Sequence, residues 1–207
     1  MPDRPRSSGH QPRNRSVRPR HADRATTRRS PSTEAPRHPP VHLENDILAE
    51  LRATVRPGKA EILIKVFSEA AGAFAADDYD EALRLGEQAK HMALRSIVIR
   101  ELLGIAYYRS ERWSEAAREL SAFRRIAGST EQNPVLADTY RALGKPERAV
   151  ELCDEIAKDR VSDEVYFEGA IVAAGALGDL GRVDEAIERL EALELEPEST
   201  GAHHVRA

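Results

Sequence analysis

Residues 97–130 read IVIRELLGIAYYRSERWSEAARELSAFRRIAGST, and this stretch decides the fold. Apolar residues recur at three- and four-residue spacing on both sides of Glu111-Arg112, which predicts two helices joined by a short turn. Ser114 is the predicted N-cap of the second helix, and Gly128 marks its predicted end. The stretch therefore predicts one helix-turn-helix unit.

The same pattern occurs four times along the chain. An alanine follows a short acidic helix start at Ala82, Ala116, Ala149 and Ala186, with separations of 34, 33 and 37 residues. A period of this length is typical of stacked helix pairs and not of a compact enzyme core. It predicts four units, at about residues 63–96, 97–130, 131–163 and 164–198.

Five positions of the second unit carry a small or bulky residue at a fixed offset: Leu103, Gly104, Tyr107, Ala116 and Phe123. Together these residues resemble the tetratricopeptide repeat, and the other three units match it less closely. The resemblance covers about residues 63–198 and implies an all-α solenoid of helix-turn-helix units, wound as a right-handed superhelix. The whole chain is also similar to small actinobacterial proteins of this family that carry a basic leader.

The first 42 residues differ in composition from the rest of the chain. They hold ten Arg against three acidic residues, a balance of +7, whereas the net charge of the whole chain is −4. They are rich in Pro and Ser and show no apolar periodicity, so we expect residues 1–42 to be disordered. The repeat domain is predicted at 59–200, and residues 201–207 at the start of a further helix that frays.

Residues 43–58 are predicted to form an N-terminal capping helix. Its apolar stripe of Ile47, Leu48, Leu51 and Val55 needs a surface to cover, because an isolated helix of this length is marginal in water. Covering the end of the first unit is the preferred interpretation, since the ends of a solenoid require a cover. In the alternative, the helix occupies the groove of the repeats and Pro57-Gly58 is its hinge.

The resemblance implies that the first helix of each unit lines a concave groove that binds a partner peptide or helix. The apolar N-terminal end of this groove favours an apolar or aromatic anchor in the partner, with Arg109 and Arg141 orienting acidic groups. The positions at which the chaperone-binding subclass holds a carboxylate carry other residue types here, so that mode is not expected. The predicted groove residues are Phe67, Phe74, Glu101, Leu102, Ile105, Tyr108, Arg109, Asp138 and Arg141.

An alternative function is association with RNA or the ribosome through the leader. Its arginines can neutralise phosphates, with strongly salt-dependent affinity, although the segment lacks the aromatic residues that stack on bases. A solubilising or weakly self-associating tail is the simpler interpretation of the same composition. The arginines that this alternative places on nucleic acid are Arg13, Arg15, Arg18, Arg20, Arg28 and Arg29.

No residue pattern favours catalysis, so the predicted function is that of a non-enzymatic interaction adaptor. Cys153 is the single cysteine and lies at the repeat position of Leu120 and Leu190, which predicts burial. Neither the seven histidines nor the acidic pairs have metal-ligand spacing, and no glycine-rich phosphate loop occurs; we expect no metal and no cofactor. Without an apolar run long enough to span a membrane, the protein is expected in the cytoplasm.

Overall fold

The computed structural model describes residues 37–193, and within this range every regular element is helical. The predicted disorder of the leader up to residue 36 and the predicted further helix at 201–207 lie outside the described residues. A 3-10 turn at Lys158–Arg160 precedes the eighth helix. The α-helices are α1 Asn45–Thr54, α2 Ala60–Ala75, α3 Tyr79–Met92, α4 Ile97–Arg109, α5 Trp113–Ala127, α6 Asn133–Ala142, α7 Pro146–Asp154, α8 Asp163–Asp179 and α9 Val183–Glu191.

Helices α2 to α9 form four consecutive pairs, one for each predicted unit. The two helices of a pair pack against each other, and the second helix of each pair packs against the first helix of the next. First helices also contact one another, α4 with α6 and α6 with α8. This arrangement confirms the predicted all-α solenoid of helix-turn-helix units.

The turn inside each pair has the same local structure. One residue per turn lies in the left-handed region: Asp77, Glu111, Gly144 and Gly181, with φ of 56°, 57°, 70° and 73°. In each turn the next N–H donates to the carbonyl five residues earlier, as from Arg112 to Tyr107 at 2.9 Å. This is the hydrogen bond of a Schellman-type helix end. The repeat is therefore present in the backbone even where its side chains differ.

Small residues bring the helices of the stack close together. Ala82, Ala116 and Ala149 are fully buried, as their repeated position predicts. At Gly104 a Cβ atom would lie 2.5 Å from the side chain of Leu120, so α4 and α5 could not keep their spacing with a larger residue there. The equivalent Ala186 in α9 is only half-buried.

Cys153 is buried in the core formed by α5 to α8, as predicted. Leu120, at the same repeat position, is also fully buried, but Leu190 is 43% exposed. The expectation of a buried contact at Leu190 is therefore wrong, because no element of the described chain packs on the outer face of α9.

Between residues 37 and 193, three helix starts carry a side-chain cap. The hydroxyls of Ser96 and Ser162 and the carboxylate of Asp78 each accept from a backbone N–H three residues later. Ser114, the predicted cap of α5, lies inside the helix instead, since α5 begins at Trp113. Gly128 ends α5 with φ of 66°, as predicted.

Residues 37–43 form an extended strap along α2. The Val41 N–H donates to the carbonyl of Ser68 at 3.2 Å, and the Ser68 hydroxyl donates to the carbonyl of Val41 at 2.5 Å. The carbonyl of Pro39 lies so close to Gly72 that a Cβ atom there would be 2.2 Å away. Val41 and Pro39, predicted to belong to the disordered leader, thus contact α2 through their backbone.

Helix α1 contacts both α2 and α4. Leu51 is fully buried, and the Glu50 carboxylate accepts hydrogen bonds from the Ser96 hydroxyl at 2.8 Å and from the Ile97 N–H at 2.7 Å. The helix therefore ties the second unit to the first. It contacts the first helices of these two units, which is the face that the alternative interpretation of residues 43–58 assigned to it.

Candidate functional site

The candidate site lies on the first helices of the last three units, α4, α6 and α8. Because these helices contact one another in order, residues one turn apart on each helix form one continuous surface. We call this surface the groove, and its central residues are Glu101, Ile105, Tyr108, Val135, Asp138, Glu168 and Ile171.

A series of polar contacts joins the three helices across the groove. Gln132 Nε2 donates to Glu101 Oε1 at 2.8 Å, and the Tyr108 hydroxyl donates to Asp138 Oδ2 at 2.7 Å. Arg141 donates to Asp138 Oδ1 at 3.0 Å and to Asp179 Oδ2 at 2.8 Å. The groove residues of successive units are thus held in fixed positions relative to one another.

Tyr108 lies at the middle of the groove and is half-buried. Its ring packs edge-on against Trp113, with ring centroids 5.5 Å apart. Burial, the hydrogen bond to Asp138 and the negative charges of Asp138 and Glu168 raise the pKa of Tyr108 above its ordinary value, so the hydroxyl stays protonated. By contrast Tyr107 is buried and donates to Glu87 at 2.8 Å, so it packs in the core and does not line the groove.

The two predicted arginines already have partners within the chain. Arg109 donates to the hydroxyl of Tyr79 at 3.1 Å, and its guanidinium lies 5.9 Å from the centre of that ring. Arg141 is shared between Asp138 and Asp179 and lies against Gly175, where a Cβ atom would be 2.7 Å from Nη1. The charge of Arg141 is therefore offset by two carboxylates, whereas the partner of Arg109 is a neutral hydroxyl.

Two of the predicted groove contacts are core residues. Phe67 is 4% exposed and Leu102 is 9% exposed, and both belong to the cluster that contains Leu43 and Leu51. Phe74 is half-buried, with its ring 5.6 Å from that of Tyr79. The apolar N-terminal end predicted for the groove is covered because the strap and α1 add their own apolar residues to the first unit.

Two glutamates of the groove have raised pKa values. Burial raises the pKa of Glu101, an effect that the hydrogen bond from Gln132 opposes and the charge of Glu131 reinforces. Desolvation by the neighbouring helices also raises the pKa of Glu168, with the charges of Glu164 and Asp138 adding to it; because the side chain keeps contact with solvent, the effect of desolvation is limited. Glu168 and Asp138 thus repel each other across α6 and α8.

Sequence reasoning missed the residues that position the groove side chains. Gln132 and Tyr79 contact Glu101 and Arg109 from other units, at separations of about thirty residues, and Gly175 makes room for Arg141. The repeat period could have found the first two, because it places equivalent turns of neighbouring helices side by side.

The described residues show no cluster of three or more His, Cys, Asp or Glu that could hold a metal ion. Burial raises the pKa of the Cys153 thiol to about 12, which keeps it protonated and unreactive near neutral pH. Between residues 37 and 193 no helix is both long and apolar enough to cross a membrane. The six leader arginines of the RNA alternative lie outside the described residues.

Comparison with known proteins identifies the fold. No family model matches the chain, and no curated protein matches it significantly. Among solved structures, MamA (MSR-1 C2) has a TM-score of 0.54 at 13% identity, covering 70% of this chain and 89% of that one. A putative kinesin light chain of Podosopora anserina with nearly identical TPR-like repeats has a TM-score of 0.54 at 22% identity, covering 70% and 80%. The chain therefore has the fold of the tetratricopeptide-repeat proteins.

Proposed function

We propose that this protein is a non-enzymatic interaction adaptor that binds a peptide or helix of a partner protein in the groove. The proposal rests on partly exposed apolar side chains along α4, α6 and α8. Ile105, Tyr108 and Val135 are half-buried, and Ile171 is 60% exposed. Such side chains gain free energy when a partner covers them.

The rigidity of the groove supports the same function. The contacts of Tyr108 with Asp138 and of Arg141 with Asp179 fix the spacing of α4, α6 and α8. A preformed surface loses little conformational entropy when it binds a ligand, which favours recognition of a short segment. The half-buried Tyr108, with its polar tip, is the kind of residue that dominates binding energy at interfaces.

The buried Cys153 thiol favours a binding role over catalysis, because a protonated thiol is a poor nucleophile. The proposal includes a cytoplasmic location, which a lone free cysteine fits.

A photo-crosslinking experiment tests the proposal. A photoreactive amino acid replaces Ile171 in the groove of the full-length protein or, as control, Ile62, which is 50% exposed on α2. We expect crosslinks to a defined partner peptide from position 171 and not from position 62. Substitution Ile171→Asp should abolish capture of that partner, and Ile62→Asp should leave it intact, with equal helical circular dichroism in both variants.

The same experiment distinguishes peptide binding in the groove from the alternative function, association with RNA or the ribosome through the basic leader. Partners that are lost after nuclease treatment, and that never crosslink through position 171, would identify the basic leader as the binding element and contradict the groove proposal. Partners indifferent to nuclease and crosslinked through the groove would exclude RNA as the link.

A further inference from the structure

Two carboxylates of the groove have no cationic partner in the part of the chain that the structure describes. Glu101 accepts a hydrogen bond from the neutral Gln132, and its charged neighbour is Glu131. Glu168 has Glu164 and Asp138 as its charged neighbours. Within residues 37–193 neither Glu101 nor Glu168 forms an ion pair.

Other carboxylates of the described chain do have cationic partners. Glu119 contacts three cationic side chains, and Glu151 and Glu185 each pair with the arginine three residues before them. In the groove Asp138 pairs with Arg141, which leaves Glu101 and Glu168 as the groove carboxylates without an ion pair among residues 37–193. Repulsion from the acidic neighbours of these two glutamates is relieved when a cation from outside enters the groove.

The floor between these carboxylates is apolar. Ile105 lies one turn after Glu101 on α4, and Val135 is half-buried on α6; both pack against the core formed by α5 to α8. An occupant that matches this surface has an apolar side chain between cationic ones. Arg141 is already shared between Asp138 and Asp179, so among residues 37–193 the groove cation left to an acidic occupant is Arg109, exposed at the C-terminal end of α4.

From this pattern we propose that the partner segment in the groove is basic, with an aliphatic or aromatic side chain flanked by Arg or Lys that pair with Glu101 and Glu168. The inference rests on the proposed function and specifies the chemistry of its partner. It reverses the expectation from sequence that Arg109 and Arg141 select acidic groups.

Fluorescence anisotropy with the full-length protein tests the inference. Three labelled peptides of about 15 residues serve as probes: one with Arg-Leu-Arg triads, one with Glu in place of every Arg, and one with Ser in place of every Leu. We expect the Arg-Leu-Arg peptide to bind at least about tenfold more tightly than either of the others. Its affinity should fall several-fold between about 50 and 200 mM salt, because the groove charges are partly solvated.

Matched charge variants locate the binding. The double variant Glu101→Gln, Glu168→Gln should weaken the basic peptide about tenfold, through loss of two partly exposed ion pairs. The control Glu147→Gln, Glu191→Gln makes the same change in net charge at exposed sites on second helices and should alter the affinity by less than about twofold. The reversal Glu101→Arg, Glu168→Arg should shift preference to the acidic peptide.

Three other outcomes of these binding measurements would contradict the inference of a basic partner segment. Equal weakening by the groove and control variants would mean nonspecific attraction to an acidic surface. Preferred binding of the Glu peptide, lost in Ile171→Asp, would refute the basic partner while leaving groove binding intact. Binding of none of the peptides would also refute it, and the crosslinking experiment would still decide the proposed function independently.

Discussion

Gly144 and Gly178 show how the same residue type has opposite effects at two positions of one stack. Gly144 closes the turn of the third unit with φ of 70°, a conformation that costs other residues about 1–2 kcal/mol. Gly178 lies inside α8, with open space where a Cβ atom would be. The backbone at each position therefore decides the effect of adding a methyl group.

We predict that Gly144→Ala lowers the free energy of unfolding by about 1 kcal/mol, because the left-handed turn is strained by a Cβ atom. Gly178→Ala should raise it by as much as about 1 kcal/mol through helix propensity. Urea denaturation of both variants checks the pair. A gain in stability for Gly144→Ala would show that the turn does not require its observed conformation.

The turns also show how far the identity of a single residue predicts the local backbone conformation. Gly144 and Gly181 are expected at a helix end, but Asp77 and Glu111 adopt the same left-handed conformation without a local sequence pattern that requires it. Tyr108 and Asp138 were both predicted on the groove face, yet their hydrogen bond depends on the packing of α4 on α6, which the spacing within either helix does not determine.

At the scale of elements, the carboxylate of Glu119 holds three helices together. Its side chain is 1% exposed and contacts Lys90 of α3 at 3.1 Å, Arg100 of α4, and Arg118 of its own helix α5 at 3.1 Å. Burial alone raises the pKa of Glu119, but the hydrogen bonds and charges of Arg100 and Lys90 outweigh it, so the pKa lies below its ordinary value.

We predict that Glu119→Gln destabilises the protein by about 2 kcal/mol at pH 7, because it removes the buried carboxylate shared by Arg100 and Lys90, although Lys90 keeps its ion pair with Glu87. A pKa lowered on folding means that the charged form contributes stability above about pH 4.5, and that this contribution disappears as the pH falls through the lower folded pKa. The difference between the proteins should therefore shrink below about pH 4 in urea denaturation. As control, Glu151→Gln removes an exposed pair and should cost less than about 1 kcal/mol. A difference independent of pH would contradict the ionic role.

Elements also explain why two of the residues predicted for the groove are buried in the core. Helical spacing places Phe67 and Leu102 on the face that carries Ile105 and Tyr108, and this follows from α2 and α4 alone. The strap and α1 then bring Leu43 and Leu51 into the same cluster, which buries Phe67 and Leu102. The position of a segment that lies outside the repeat cannot be obtained from the repeat period.

At the scale of the whole described molecule, the stack has a core that weakens toward α9. Each unit contacts mainly its neighbours, so a residue between two units is covered on both sides, whereas one in the last described helix is covered on one side. Leu120 and Leu190 occupy the same repeat position, yet the first is fully buried and the second is 43% exposed. Residues at equivalent positions of the repeat therefore contribute different amounts to the free energy of unfolding.

We predict that Leu120→Ala costs about 3 kcal/mol of unfolding free energy, since it removes a fully buried side chain beside Gly104 and leaves a cavity. Leu190→Ala should cost less than about 1 kcal/mol, because its side chain is partly exposed already. Amide hydrogen exchange should show the same gradient, with α9 exchanging faster than α4 and α5. Equal costs for the two substitutions, with equal protection of α9 and α5, would mean that another chain or another part of this one covers the last helix in solution. The pair of leucines thus measures directly whether the outer face of α9 is free.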